Sequence, residues 1–271
     1  MFHLIGIGYK IGHISVEQVE VIKNCKLVFL EYYTSFYENK VEELSEYLGV
    51  EIELADRSVV ESQIEEKMLV PAQKDDVALL VMGDPLIATT HTDLLLRARE
   101  MELETSVLSN VSVANFITHT GLQFYKFGKI TSIPFFSEKF MPRTPYLVFL
   151  DNFKMGAHSL FLLDLNPSND VAYKGKSRFL RAHEALEFLL TIPKMMKENE
   201  ELEEKDCQVL DSETHAVLCS RLGFSDEKIV YGTFEELMDL DKKEEFPEPL
   251  CLIVPGDLHE MEEKYLDLFR I

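Results

Sequence analysis

Basic residues are scarce in this chain of 271: 27 Lys and Arg stand against 48 Asp and Glu, a formal net charge of −21. Phosphate backbones are gripped mainly by Lys and Arg, so a broad nucleic-acid surface is excluded, although a basic local cleft is not. Long apolar runs are missing too. The longest, Val77 to Met82, has six residues, far short of the roughly 18 that a membrane-spanning helix needs. The opening MFHLIGIGYK has neither a basic flank nor a long apolar stretch, so no signal peptide is expected. Only four cysteines occur, Cys25, Cys207, Cys219 and Cys251, with no CxxC pair; this fits reduced thiols in a cytoplasmic protein. The eight histidines form no close ligand set, so no metal site is expected, and no repeat of solenoid period is present. What the chain does have is 46% hydrophobic residues, enough for packed cores and too many for disorder. Its length favours two domains of roughly 100–150 residues.

The first half alternates short apolar runs with helical patterns. Strands are predicted at Phe2–Ile7, Lys26–Leu30, Glu51–Leu54, Asp76–Met82 and Glu104–Leu108. Helices are predicted after Ser15, near Lys40–Leu48, over Val59–Val70 and His91–Glu100, and from about Ser112. This rhythm implies a largely parallel sheet, with the unbroken apolar run before Gly83 as a central strand. Gly121 to Pro145, rich in aromatics, Gly and Pro, reads as a domain junction. Beyond it strands are expected at His158–Asp164, Thr214–Ser220, Lys228–Tyr231 and Leu250–Val254. Helices are expected at Arg181–Asn199, Glu235–Leu240 and Glu260–Phe269. The charge run Lys197–Asp206 reads as a solvated helix end and loop.

Three strand ends offer groups suited to ligand binding. LIGIGYKIG places Gly6, Gly8 and Gly12 between a strand and a helix, with Glu31 ending the next strand. Taken alone, this allows a dinucleotide turn whose acid holds a ribose hydroxyl; equally, the glycines satisfy a tight turn. VMGDPLIATTHTDL (81–94) puts Asp84 at the carboxyl edge of the buried strand, with Thr89 or Thr90 as a cap for the next helix. Asp84 serves there either as a binding group or as a helix-entry cap. SNVSVANF (109–116) repeats the arrangement, with Ser112 as cap. His91 reads as a helix cap or an exposed residue, His119 as a junction-packing residue and His158, before a buried strand, as structural, and no catalytic residue is assigned.

The order of these motifs resembles the diphthine synthases of the tetrapyrrole-methylase superfamily. The likeness runs through LIGIG (4–8), LEYYTS (30–35), ADR (55–57), GDPLIATTHTDLLLRA (83–98), SNVSVANF (109–116), TGLQFYKFG (120–128), SIPFF (132–136), HSLFLLDL (158–165), SRLG (220–223) and HEME (259–262). It implies two α/β domains, 1–118 and 119–271, with the cofactor in the cleft between them. It also implies a homodimer that uses S-adenosylmethionine to methylate the modified histidine, the diphthamide precursor, of translation elongation factor 2. Carried over by position, the cofactor contacts fall on Tyr9, Asp84, Ile87, Ser112, Val113, Leu163, Leu222 and Leu250. Tyr9 stands where Leu is common, Ile87 replaces a Gly, the start of the last strand lacks a frequent His, and the stretch between Asp164 and Arg178 is short. The aromatic segment Phe135–Pro145 is either a rim for a protein substrate or ordinary packing. Other readings are a precorrin-type tetrapyrrole methylase, a nicotinamide-dependent oxidoreductase built on the glycines and Glu31, and a non-catalytic scaffold.

Overall fold

Two strands near the start of the chain carry almost no polar side chains and are buried along their whole length. These are β1 (Phe2–Gly6) and β4 (Val77–Val81). Strands covered on both faces belong in the middle of a sheet, and there they lie. In this computed structural model, which describes residues 1–137, 139–166, 178–243 and 246–271, they are neighbours in a five-stranded sheet of order β3-β2-β4-β1-β5. The other members are β2 (Leu27–Glu31), β3 (Glu53–Ala55) and β5 (Thr105–Leu108), and every pairing is parallel, as the sequence predicts. The chain divides into two compact units, the first made of residues 1–116 with Asn166 and Arg178, the second of the remaining described residues.

Side chains alternate across the first sheet. Phe2, Leu4, Val77, Leu79 and Val81 meet Val60, Ile64, Met68, Leu94 and Ala98 on one face. Ile5, Ile7, Ala78, Leu80 and Met82 meet Ile22, Leu44 and Leu48 on the other. The helix after β1, α1 (Val16–Asn24), thus covers one face, whereas the helix after β4, α5 (Thr92–Glu100), covers the opposite one. Adjacent parallel strands whose chains leave to opposite faces open a crevice at their carboxyl ends, the usual ligand position in such sheets.

Between these strands lie α2 (Val41–Leu48), α3 (Arg57–Ser62) and α4 (Val70–Ala72). The predicted helix over Val59–Val70 is broken: Glu65–Leu69 is wound as a π-helix, which shifts the register within an otherwise helical stretch. Ser15 caps α1 as expected, in a reciprocal capping box with Gln18. The short helix α6 (Val113–Phe116) closes the first unit.

The second unit holds a sheet of order β11-β10-β12-β7-β6. It joins β6 (Thr131–Ile133), β7 (Ser159–Leu163), β10 (His215–Ser220), β11 (Lys228–Thr233) and β12 (Leu250–Val254). All pairs are antiparallel except β6 with β7. Two short strands, β8 (Leu165–Asn166) and β9 (Arg178–Phe179), flank the short stretch noted in the sequence, whose residues 167–177 lie outside those described.

Helices α7 (Thr144–Lys154), α8 (Ala182–Glu198) and α10 (Phe234–Lys243) pack against this sheet through Tyr146, Phe149, Leu186, Phe188, Leu189 and Leu237. Two further α-helices are α9 (Glu204–Cys207), which overlaps the end of the charge run, and α11 (Glu260–Leu266). The stretch expected to be irregular needs correction. Part of it is strand β6, and its last two residues begin α7, because Pro145 sits at the first turn, where a missing N–H costs nothing.

Candidate functional site

The carboxyl ends of β1, β4 and β5 are laced together by short polar links. Gly8 and Gly83 form an isolated bridge, each amide donating to the other's carbonyl at 3.1 and 2.8 Å. Gly8 adopts φ +62, and a Cβ there would lie 2.5 Å from the His13 side chain. Gly12, by contrast, has open space where a Cβ would project. The glycines therefore serve a loop-to-loop approach at two positions and are dispensable at the third. Gly8→Ala should cost about 1–3 kcal/mol, the usual penalty for a side chain in the left-handed region, while Gly12→Ala should stay within about 0.5 kcal/mol. Urea unfolding of both variants checks this.

Asp84 sits in the next loop, 5% exposed. Its Oδ1 accepts from the Leu86 amide at 2.9 Å and its Oδ2 from the Asn110 amide at 3.0 Å. It is thus no helix-entry cap: it ties the loop after β4 to the loop after β5. Asn110 extends the tie, the two protons of its amide nitrogen shared among the carbonyls of Gly6 and His13 and Gln18 Oε1, all within 3.1 Å. Gln18, 2% exposed, in turn donates to the carbonyls of Gly6 and Ser109. Every buried amide here has its partner, as burial requires.

The other expected site residues of this unit gather round the same edge. The Tyr9 ring covers Gly83 and meets Phe116 at 5.9 Å between centroids. Ser112 is buried and its hydroxyl accepts from the Ala114 amide, so it caps α6 as expected, with half-buried Val113 beside it. Ile87 lies on the exposed part of the loop after Asp84. Thr89 and Thr90 do not cap α5: the Thr89 hydroxyl donates to the Pro85 carbonyl at 2.7 Å, and α5 begins after His91 with no side-chain cap.

His91 and Glu31 are also placed differently from their expectations. Both are buried, with His91 Nε2 2.6 Å from Glu31 Oε2 in an ion-pair contact outside hydrogen-bond geometry. His91 Nδ1 is 3.0 Å from the Pro85 carbonyl oxygen, and the Thr34 hydroxyl donates to the other Glu31 oxygen. Burial works against charge on this imidazole, but the Glu31 carboxylate and the Pro85 carbonyl outweigh it and hold its pKa above the ordinary histidine value. A carboxylate so enclosed does not face a ribose hydroxyl, which removes the acid from the dinucleotide reading.

In the second unit, Leu163, Leu222 and Leu250 come together at one sheet edge. Pairing Cys251 with Leu162 sets Leu250 beside the end of β7, and pairing Ser220 with Leu250 brings Leu222 to the same end. All three are buried. The structural role expected of His158 is visible in its contacts. Its Nδ1 accepts from the Gly256 amide at 2.9 Å, so the proton is on Nε2, which donates to Glu262 at 3.1 Å. Burial lowers its pKa and keeps it neutral. Glu262 also receives Lys126 and the amides of Gln123 and His259, so it joins the TGLQFYKFG, HSLF and HEME segments.

His119 departs from the junction-packing role: its side chain is exposed and meets Glu227 at 2.9 Å. Within Phe135–Pro145, Phe135, Phe136 and Met141 pack on the core and Phe140 is exposed; Glu138 lies outside the described residues. The most exposed aromatic of the wider stretch among the described residues, Tyr125, lies upstream, and Phe124 beside it is exposed to the same degree as Phe140. Tyr125 lines a groove of about 590 Å³ walled also by Lys126, Met155, Asp257 and His259. Among the described residues, no helix is long and apolar enough to cross a membrane, and no group of three or more His, Cys, Asp or Glu could hold a metal ion.

The family model for tetrapyrrole (corrin/porphyrin) methylases matches residues 1–238. A diphthine synthase of Methanococcus aeolicus is 38% identical over 98% of this chain and 98% of its own. A diphthine methyl ester synthase of Saccharomyces cerevisiae is 38% identical over 98% of this chain and 88% of its own. The crystal structure of a candidate diphthine synthase from Entamoeba histolytica superimposes with a TM-score of 0.84 at 32% identity, covering 100% of this chain and 98% of that one. On the strength of matches that run from end to end, the chain belongs to the tetrapyrrole (corrin/porphyrin) methylase family and, within it, to the diphthine synthases.

Proposed function

We propose that this protein is an S-adenosylmethionine-dependent methyltransferase that methylates the diphthamide-precursor histidine of translation elongation factor 2, giving diphthine or its methyl ester. It acts in the cytoplasm as a homodimer. The cofactor is held by Tyr9, Asp84, Ile87, Ser112 and Val113 from the first unit and by Leu163, Leu222 and Leu250 from the second. What supports this most is the Asp84 bridge, which fixes the loops after β4 and β5 at the edge where the sheet's connections diverge.

When bound, S-adenosylmethionine supplies a sulfonium methyl group. The residues of the chain have to bind, orient and exclude water, and such positioning alone can supply much of the rate, so an obvious catalytic base is not required. The backbone around Gly83 and Asp84 is suited to positioning, being glycine-lined and cross-linked to the loops after β1 and β5. The buried leucines Leu163, Leu222 and Leu250 suit an apolar part of the ligand.

Titration calorimetry with millimolar S-adenosylhomocysteine, and separately with NAD, tests the cofactor. Heat with the first and none with the second is expected; binding of NAD alone would contradict the reading.

A further inference from the structure

The Glu31–His91 pair lies under the cofactor loop proposed above, and nothing in methyl transfer itself calls for it. His91 is 3% exposed. Its Nδ1 faces the Pro85 carbonyl, a group that only accepts, so Nδ1 carries a proton. Nε2 is taken by Glu31, and Glu31 is held in turn by Thr34. With both nitrogens engaged and no exposed edge, His91 is not placed to exchange a proton with a substrate.

The Pro85 carbonyl receives two donors, His91 Nδ1 at 3.0 Å and Thr89 Oγ1 at 2.7 Å. Immediately after it the chain leaves the protein surface. Leu86, Ile87, Ala88 and Thr90 are exposed, and Ala88 takes φ +57. A non-glycine residue in that region is strained by about 1–3 kcal/mol and persists only where its surroundings over-determine it. The restraints include the Leu86 amide on Asp84, Thr89 on Pro85, His91 on Pro85, and the Asp93 amide on the Thr90 carbonyl. Of these, the Leu86 tie reaches the buried interior through Asp84 and Asn110, and at the Pro85 carbonyl itself it is His91, backed by Glu31, that does so.

We infer that His91 is a positioning residue: the buried Glu31–His91 pair holds the Pro85 carbonyl, and through it the loop Leu86–Thr90, in the shape in which Ile87 meets S-adenosylmethionine. The last step rests on the function proposed above; the bracing of the loop does not.

Two conservative variants separate the two contacts of the ring. The amide nitrogen of Asn reaches roughly where Nδ1 sits, and that of Gln roughly where Nε2 sits. His91→Asn therefore keeps the donor to Pro85 and strands Glu31, whereas His91→Gln keeps a partner for Glu31 and releases Pro85. The expected orders are opposite. His91→Asn has the lower thermal midpoint, because an unpaired buried carboxylate is costly. His91→Gln has the faster amide hydrogen exchange over Leu86–Thr90. It also binds S-adenosylhomocysteine about tenfold more weakly than wild type, while His91→Asn stays within about threefold, as one hydrogen bond kept or lost predicts.

Exchange over Leu86–Thr90 unchanged in His91→Gln, or affinity falling in the same order as thermal stability, overturns the proposal. If the unaltered protein binds no S-adenosylhomocysteine, the methyltransferase reading fails, and the exchange comparison still decides whether His91 braces the loop.

Discussion

Asp84→Ala is expected to lower affinity for S-adenosylhomocysteine by about 10- to 100-fold while moving the thermal midpoint by only a few degrees. Two amides, those of Leu86 and Asn110, lose an ionised acceptor at 2.9 and 3.0 Å. Hydrogen bonds to charged groups contribute about 1.5–3 kcal/mol each, and about 1.4 kcal/mol is a tenfold change in affinity. Folding loses less than this, because both amides lie in loops that can turn toward water once released, and the strands beneath keep their apolar cover. The ligand has no such recourse if the loop after β4 no longer keeps its shape. Calorimetry and thermal unfolding on the same preparation separate the effects. A variant that loses stability and keeps its affinity would make Asp84 a structural tie alone.

Glu262→Ala has the largest expected effect on folding. Its carboxylate, 1% exposed, accepts from Lys126, His158 and the amides of Gln123 and His259. Removing one partner of a buried charged cluster costs about 3–5 kcal/mol, and the lower end applies because Lys126 can reach solvent. The same cluster is sensitive to acid. Burial would raise the Glu262 carboxyl, but Lys126, the two amides and His158 outweigh it and pull it down to about 2 from its usual 4.5. The unfolded chain therefore takes up the proton first as pH falls, and the unfolded state is favoured. This contribution is complete above about pH 4.5 and is lost as pH falls through about 2. Denaturant midpoints of wild type and Glu262→Gln should differ at neutral pH and converge in acid; a constant difference would contradict the assignment.

How much of this was legible in the sequence depended on distance along the chain. Strands β4 and β12 follow from unbroken apolar runs, β1 from an apolar run interrupted by His3, and the cap of α1 from Ser15 with Gln18 three residues on. Helix α7 was hidden because Pro145 reads as a break, although Tyr146, Phe149 and Leu150 have helical spacing and Pro is favourable in a first turn. The strand ends were legible as places, from Gly8, Asp84 and Ser112, but not as a network. Gln18 and Asn110 meet across 92 residues, and His158 and Glu262 across 104. Asn110 gave one usable signal, a polar residue two positions after a strand and two before the expected cap. Glu31 looked like a ribose acid because its partner His91 lies on another element. Nothing local marks which of two distant polar residues will be buried together.

Methyl transfer from S-adenosylmethionine to the diphthamide precursor is decided by the intact mass of translation elongation factor 2. The factor, bearing the aminocarboxypropyl-histidine, is weighed after incubation with the protein and S-adenosylmethionine. Successive methyl increments on the modified factor, and none on unmodified factor lacking the amine nucleophile, are predicted. Methylation of the unmodified factor, or an unchanged mass for the modified one while the cofactor is bound, would contradict it.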